Sequence, residues 1–198
     1  MGRRRVIDRD AVLDAAQRVV SRDGAAKLTL EAVAAEANIS KASVLYDYGT
    51  KEALIRAIIE KRVAAETERV ETVTAQIGEG ADAAIRGRIA AAVRSVSDED
   101  RAVAISLCAA AAQNATLRHP IQEAYRRWIE EIETTSEHPR GALLAFLALE
   151  GLTLLEWFGL HAFPPEQRER VLREIDWLRT QSPAHVEHDA ALPNKVPR

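Results

Sequence analysis

From Asp8 to Leu178 the apolar residues recur three and four positions apart, and no β-branched alternation bounded by hairpin signals interrupts them. That spacing predicts an all-α chain of about nine helices. Asp8 is placed to cap the first, with Val12, Ala15, Ala16, Val19 and Val20 as its apolar stripe and Gly24 as its stop. Thr29 caps a short second helix and Ser40 a short third that Gly49 ends, with a break at Asn38-Ile39 between them. Thr50 opens a long fourth helix reaching about residue 77, and Gly78 and Gly80 separate it from a fifth near 81–96. The run Ser97-Asp98-Glu99-Asp100 starts a sixth that ends near Asn114. Three more are expected over about 117–135, 140–161 and 165–180, with Pro120 early in its helix, where the ring is tolerated.

At 198 residues the chain can bury a proper core without disulfides, and 47% apolar with 29% charged residues is a globular composition. A net charge of −3 excludes a polybasic mode of nucleic-acid binding but not a compact module with its own basic face. The first 51 residues carry nine Lys and Arg against seven acids, and the remainder reverses that balance. Cys108 stands alone, which excludes an internal disulfide framework and a cysteine-rich zinc site. MGRRRVIDRD has no apolar run behind its basic residues, so it is not read as a secretory signal, and a cytoplasmic location is expected. Phosphate-cradling glycine loops, nucleophile elbows and metal-binding helix motifs are not found, so neither catalysis, a cofactor nor a metal is expected. His185-x-x-His188-Asp189, near the end of the chain, would need further ligands to hold a metal.

Function is most legible in residues 29–48, TLEAVAAEANISKASVLYDY. Leu30, Val33, Ala37, Ile39 and Val44 are spaced to hold two short helices at a steep angle, leaving the other face of the second free. Those are the requirements of a helix-turn-helix, whose second helix enters a groove about 12 Å wide. Small residues at its start, Ser40, Ala42 and Ser43, allow close approach of the backbone.

Further markers lie on either side: Ala15-Ala16, Gly24, Thr29, Ala34-Ala35, Ile39-Ser40-Lys41, Val44-Leu45-Tyr46-Asp47-Tyr48 and Thr50-Lys51-Glu52-Ala53-Leu54. Collinear and without gaps, the sequence from Ile7 to Leu54 resembles the DNA-binding domain of TetR-family (tetracycline-repressor-like) transcriptional regulators. Three positions depart from the family pattern: Asn38 for a turn glycine, Asp47 for histidine and Tyr48 for phenylalanine. Asn tolerates positive φ, so the turn is expected to survive. Asp47 would sit unfavourably beside phosphate unless paired, with Lys51 or Arg4 as the expected partners.

The chemistry of the positions assigns roles. Thr29 and Ser40, at helix N-termini, can offer hydroxyl and backbone N–H groups to phosphate. Tyr46 and Lys51 are backbone clamps by the resemblance. Lys41, Ala42 and Ser43 are placed for base edges, and Arg3, Arg4 and Arg5 for an arm reaching a neighbouring minor groove. Each has a plainer reading as a cap, a packing residue or a solvated charge; the motif as a whole carries the inference.

The resemblance implies a C-terminal helical domain that dimerises and often holds a small-molecule pocket. The expected division is residues 1–51 for DNA binding, 52–181 for regulation and dimerisation, and 182–198 as a mobile tail. GALLAFLALEGLTLLEWFGL is apolar nearly all round and needs cover on more than one side; Glu150 and Glu156 inside it argue against a membrane span. Leu147, Thr153, Leu155, Phe158, Val171, Ile175 and Leu178 are the expected dimer contacts, paired as a four-helix bundle. Candidate pocket liners are Cys108, Gln113, Tyr125, Trp128, Phe146, Glu150 and Trp157, for which ordinary core is the competing reading. Glu150, a carboxylate in an apolar helix, must be paired, hydrogen-bonded, protonated or solvated: it would attract a cationic effector or meet an arginine such as Arg140 or Arg126. For Cys108, an apolar setting and no second cysteine favour an inert buried thiol over a redox sensor.

These readings converge on a homodimeric regulator, by the resemblance a repressor, that holds a palindromic operator as double-stranded DNA and releases it when a small-molecule effector binds. The alternative is a DNA-binding regulator with a closed core, controlled by a protein partner; few polar groups in helices six to eight would favour it.

Overall fold

The computed structural model describes residues 8–78, 80–93 and 97–183, and its regular elements are all helical. They are α1 (Arg9–Asp23), α2 (Leu30–Glu36), α3 (Lys41–Tyr48), α4 (Lys51–Ile77), α5 (Ala83–Ala92), α6 (Asp98–Gln113), α7 (Ala115–Thr135), α8 (Pro139–Trp157) and α9 (Pro165–Leu178). Arg3, Arg4, Arg5, His185, His188 and Asp189 lie outside the described residues.

The caps explain most of these boundaries. Asp8 accepts from the N–H groups of Asp10 and Ala11, Thr29 from Ala32, Ser40 from Ser43, Thr50 from Ala53 and Ser97 from Asp100. Each satisfies a donor that a helix start leaves open. Two helices are shorter than their periodicity suggests. The fifth begins only after Asp82, which takes a left-handed conformation at φ 65. The eighth stops at Trp157 because Gly159, at φ 64, turns the chain so that the Leu160 N–H reaches the Leu155 carbonyl at 2.9 Å. A 3₁₀ turn over Ala25–Lys27, not expected from the pattern, joins α1 to α2.

Two cores organise the molecule. The first gathers Val12, Ala16, Val19 and Val20 of α1, Val33 of α2, Val44 of α3 and Leu54, Ile55, Ile58 and Ile59 of α4. It also takes Val103, Leu107 and Ala111 from α6 and Leu117 from α7, so the packing crosses the expected boundary at residue 51. Polar ties reinforce that crossing: the Ala25 N–H donates to Ser106 Oγ at 2.7 Å, and Arg62 joins α4 to Gln17 at 3.1 Å and Asp100 at 3.2 Å. The second core holds Ile85 and Ile89 of α5, Ile132 of α7, Phe146, Leu149 and Leu152 of α8, and Leu172 and Ile175 of α9. Among the described residues no helix is long and apolar enough to cross a membrane.

Candidate nucleic-acid interface and interior polar cluster

α2 and α3 form the expected helix-turn-helix. Asn38 occupies the turn at φ 52, the conformation a glycine would otherwise supply. On the inner side the pair is pinned by Arg18 and Arg22 of α1, which donate to the two oxygens of Glu36 at 2.8 and 3.1 Å. Those two arginines hold the Glu36 carboxyl below the usual carboxylate range. α3 itself is anchored by Val44, fully buried, with Ile39 and Tyr48 packed beside it.

The opposite face of α3 points outward. Lys41 and Ala42 are exposed, Leu45 is 47% exposed and Tyr46 82%. Ser43 is half-buried, its hydroxyl 2.8 Å from that of Ser40. The structure therefore brings Ser40, Lys41, Ala42 and Tyr46 onto one protruding surface. Leu45 joins them, an apolar contact that sequence reasoning missed, although its place one residue after the buried Val44 was the available signal. Lys41 is not free: it pairs with Glu31 of α2, whose carboxyl it holds low by hydrogen bonding. Lys51 sits at the start of α4 with Nζ donating to the Ala26 carbonyl at 2.5 Å. The remaining ammonium donors stay available. Thr29 is exposed while capping α2.

Asp47 finds a different partner from those expected. Its carboxylate lies 3.7 Å from Arg9 Nη2, on the first turn of α1, rather than beside Lys51. Arg4 and Arg5 lie outside the described residues. The carboxylate is largely covered, its side chain 10% exposed, so it is turned into the domain rather than offered to phosphate.

Within the helical body, four of the seven candidate pocket residues come together. Tyr125 packs edge-on to Trp128 at 5.1 Å between centroids and lies 6.2 Å from Phe146. Its hydroxyl donates to Glu150 Oε2 at 2.6 Å. Burial raises the Glu150 carboxyl above its ordinary value, and burial with the adjacent Glu150 charge drives the Tyr125 phenol far up. Neither Arg126 nor Arg140 is the partner: Arg126 pairs with Glu123 at 2.9 Å and Arg140 is exposed at the start of α8. The nearby cation is Arg88 of α5, which sequence reasoning passed over. Its guanidinium lies 4.3 Å above the Trp128 ring and 5.7 Å from Phe146.

The other three candidates stand apart. Gln113 is exposed at the last position of α6, and Trp157 is half-buried at the end of α8. Cys108 is a surface residue of α6 rather than a buried one, yet enough chain crowds its sulfur to raise the thiol pKa. Of the expected dimer contacts, Leu147, Leu155 and Phe158 are exposed, and with Leu144, Gly151 and Leu154 they form one apolar stripe along α8. Thr153, Val171 and Leu178 are half-buried. Ile175 is a correction: it faces inward, 4% exposed in the second core, because α9 uses that face to cover α8.

A protruding recognition helix on a helical body defines the class, a DNA-binding transcriptional regulator. The description "Bacterial regulatory proteins, tetR family" matches residues 12–58, and "Tetracyclin repressor-like, C-terminal domain" matches residues 82–178. The chain belongs to the TetR family of transcriptional regulators. No curated protein matches it in sequence. Among solved structures it is similar to a putative transcriptional regulator, SCO7518, from Streptomyces coelicolor A3(2), with TM-score 0.71 and 21% identity over 87% of this chain and 98% of that one. A putative transcriptional regulator from Saccharomonospora viridis in complex with choline aligns with TM-score 0.66 and 16% identity over 85% and 93%. The multidrug binding protein EbrR complexed with ethidium aligns with TM-score 0.64 and 22% identity over 84% and 97%.

Proposed function

We propose that the chain works as a homodimeric repressor that holds a palindromic operator and releases it when a small molecule enters the helical body. Residues 1–51 read DNA, and 52–181 dimerise and respond. The observation that carries the DNA-reading part is the geometry of α3: one buried anchor, Val44, with Lys41, Ala42, Leu45 and Tyr46 presented together. Lys41, Ala42 and Ser43 meet base edges, while Thr29, Ser40, Tyr46 and Lys51 hold phosphates and Arg4 and Arg5 reach the minor groove. Lys41 must exchange its Glu31 partner for DNA, which makes it a reader that engages only on contact.

The apolar stripe of α8 supports a second copy as its cover, since an exposed patch of that kind seeks a partner. Two copies so joined present recognition helices to successive major grooves about 34–36 Å apart. Buried Arg88 with half-buried Tyr125 and Glu150 favours an effector over a closed core, and two of the similar structures hold small organic cations. α4 carries the response: it belongs to the first core and also packs along α5 and α7 of the body. Sedimentation of the full chain, alone and with duplex DNA, tests the assembly. Dimers that bind as one unit per duplex are expected; a monomer that binds DNA singly overturns the dimer.

A further inference from the structure

Arg88 is the least satisfied charged group in the described structure. It is 7% exposed, and its Nε is buried without a hydrogen-bond partner. Among the described residues no carboxylate oxygen lies within 4.0 Å of its nitrogens. Buried guanidinium groups are normally paired, because an uncompensated charge in the interior is strongly unfavourable. The cation–π contacts, 4.3 Å to the Trp128 ring and 5.7 Å to that of Phe146, leave its in-plane donors unused.

The acids around it do not meet that need. Glu66 is committed to Arg69 at 2.7 Å, and Glu131 is exposed to solvent. Glu150 comes nearest in chemistry: it is half-buried and bonded to Tyr125, which itself packs on Trp128 and lies beside Phe146. Its Oε2 is occupied by Tyr125, and Oε1 makes no hydrogen bond among the described residues. A free donor edge and a free acceptor oxygen of opposite charge thus share one aromatic-walled region without touching. Direct pairing would satisfy both, and no hydrogen bond or ion pair joins them among the described residues; a molecule carrying both charges would supply the missing partners.

We propose that this region takes a small zwitterion, its carboxylate on Arg88 and its ammonium on Glu150, with a short apolar linker against Trp128 and Phe146. The inference rests on the reading of the helical body as an effector domain and names the chemical class of the effector. A purely anionic ligand would meet the Glu150 carboxylate, and a purely cationic one would meet Arg88, each with an unmatched charge. A molecule carrying both ends leaves neither.

Calorimetric titration of the full chain without DNA tests this, using glycine, β-alanine, 4-aminobutyrate and 6-aminohexanoate, with butyrate and butylamine as one-ended controls. At least one amino acid of the series is expected to bind with Kd below about 1 mM, and the controls about tenfold or more weaker. Arg88→Met keeps the apolar stem and Glu150→Gln keeps an acceptor for Tyr125; each is expected to weaken binding about tenfold or more while melting in a single transition. No heat from any amino acid up to about 10 mM overturns the proposal. So does butylamine binding as tightly as the best zwitterion, or binding unchanged in both variants. Because DNA is absent, failure here is separable: a duplex released by choline with Arg88→Met indifferent would keep effector control and remove the zwitterion.

Discussion

The two cores of this chain bury their residues under opposite rules. In the first, every buried side chain is apolar, and charge is kept to the rim in pairs such as Arg18–Glu36 and Lys61–Asp14. In the second region Asp82 and Arg88 lie inside, and an apolar stripe of α8 lies outside. A unit that must present α3 in one fixed orientation gains from an interior without alternatives. Buried charge and exposed apolar surface, by contrast, leave the body dependent on what covers or fills it. That difference fits a division between a rigid reader and a responsive body.

Breaking the second region's packing should have the largest effect. Gly141 lies where an added Cβ would meet the Gln181 carbonyl oxygen at 2.2 Å and that of Leu178 at 2.7 Å. Backbone atoms cannot swing aside, so Gly141→Ala is expected to cost about 3 kcal/mol, read as a lower midpoint in thermal or urea unfolding. Asp82→Ala comes next. It removes the 2.9 Å partner of Arg179, the acceptor of the Glu137 N–H and a residue suited to φ 65, for about 3 kcal/mol in the same measurement. In the first region Val44→Ala should cost about 2 kcal/mol and loosen α3, weakening DNA binding with little change in the dimer.

Surface changes sharpen the comparison without unfolding either part. Tyr46→Ala and Lys51→Ala are each expected to weaken DNA binding about tenfold across all sequences, whereas Lys41→Ala should change base preference. Equal affinity in both Tyr46→Ala and Lys51→Ala would remove the phosphate assignments. Leu147→Glu combined with Leu155→Glu should yield monomers by sedimentation; a full dimer would place the interface elsewhere. The smallest effect concerns pH. Burial raises the Glu150 carboxyl in the folded chain, so folding favours its protonated form. That contribution is present at low pH and is lost as pH rises through the folded value. Replacement by Gln should therefore flatten the fall in stability between mildly acid and neutral pH.

Much of the reader was legible because its signals are local. Each cap lies within three residues of the N–H it satisfies, as with Thr29 and Ala32 or Ser40 and Ser43, and Asn38 announces its own turn. The partner of Asp47 was not legible, since Arg9 lies on another helix. In the body, helix existence followed from periodicity, but side-chain roles depended on packing. Ile175 reads equally well as interface or core until α9 is docked on α8. Arg88 did leave a trace: it occupies the same stripe as Ile85 and Ala92 on α5, so an inward arginine was there to be read. Which rings it would stack on was fixed only by the approach of α7 and α8.

The most direct test of the central claim is selection of binding sites from random duplex DNA by the full chain, with affinity for the winner measured across salt. The account predicts an enriched inverted repeat whose affinity falls steeply as salt rises, because phosphate contacts release counterions. A folded, dimeric chain that enriches no inverted repeat, or binds with little dependence on salt, would contradict it.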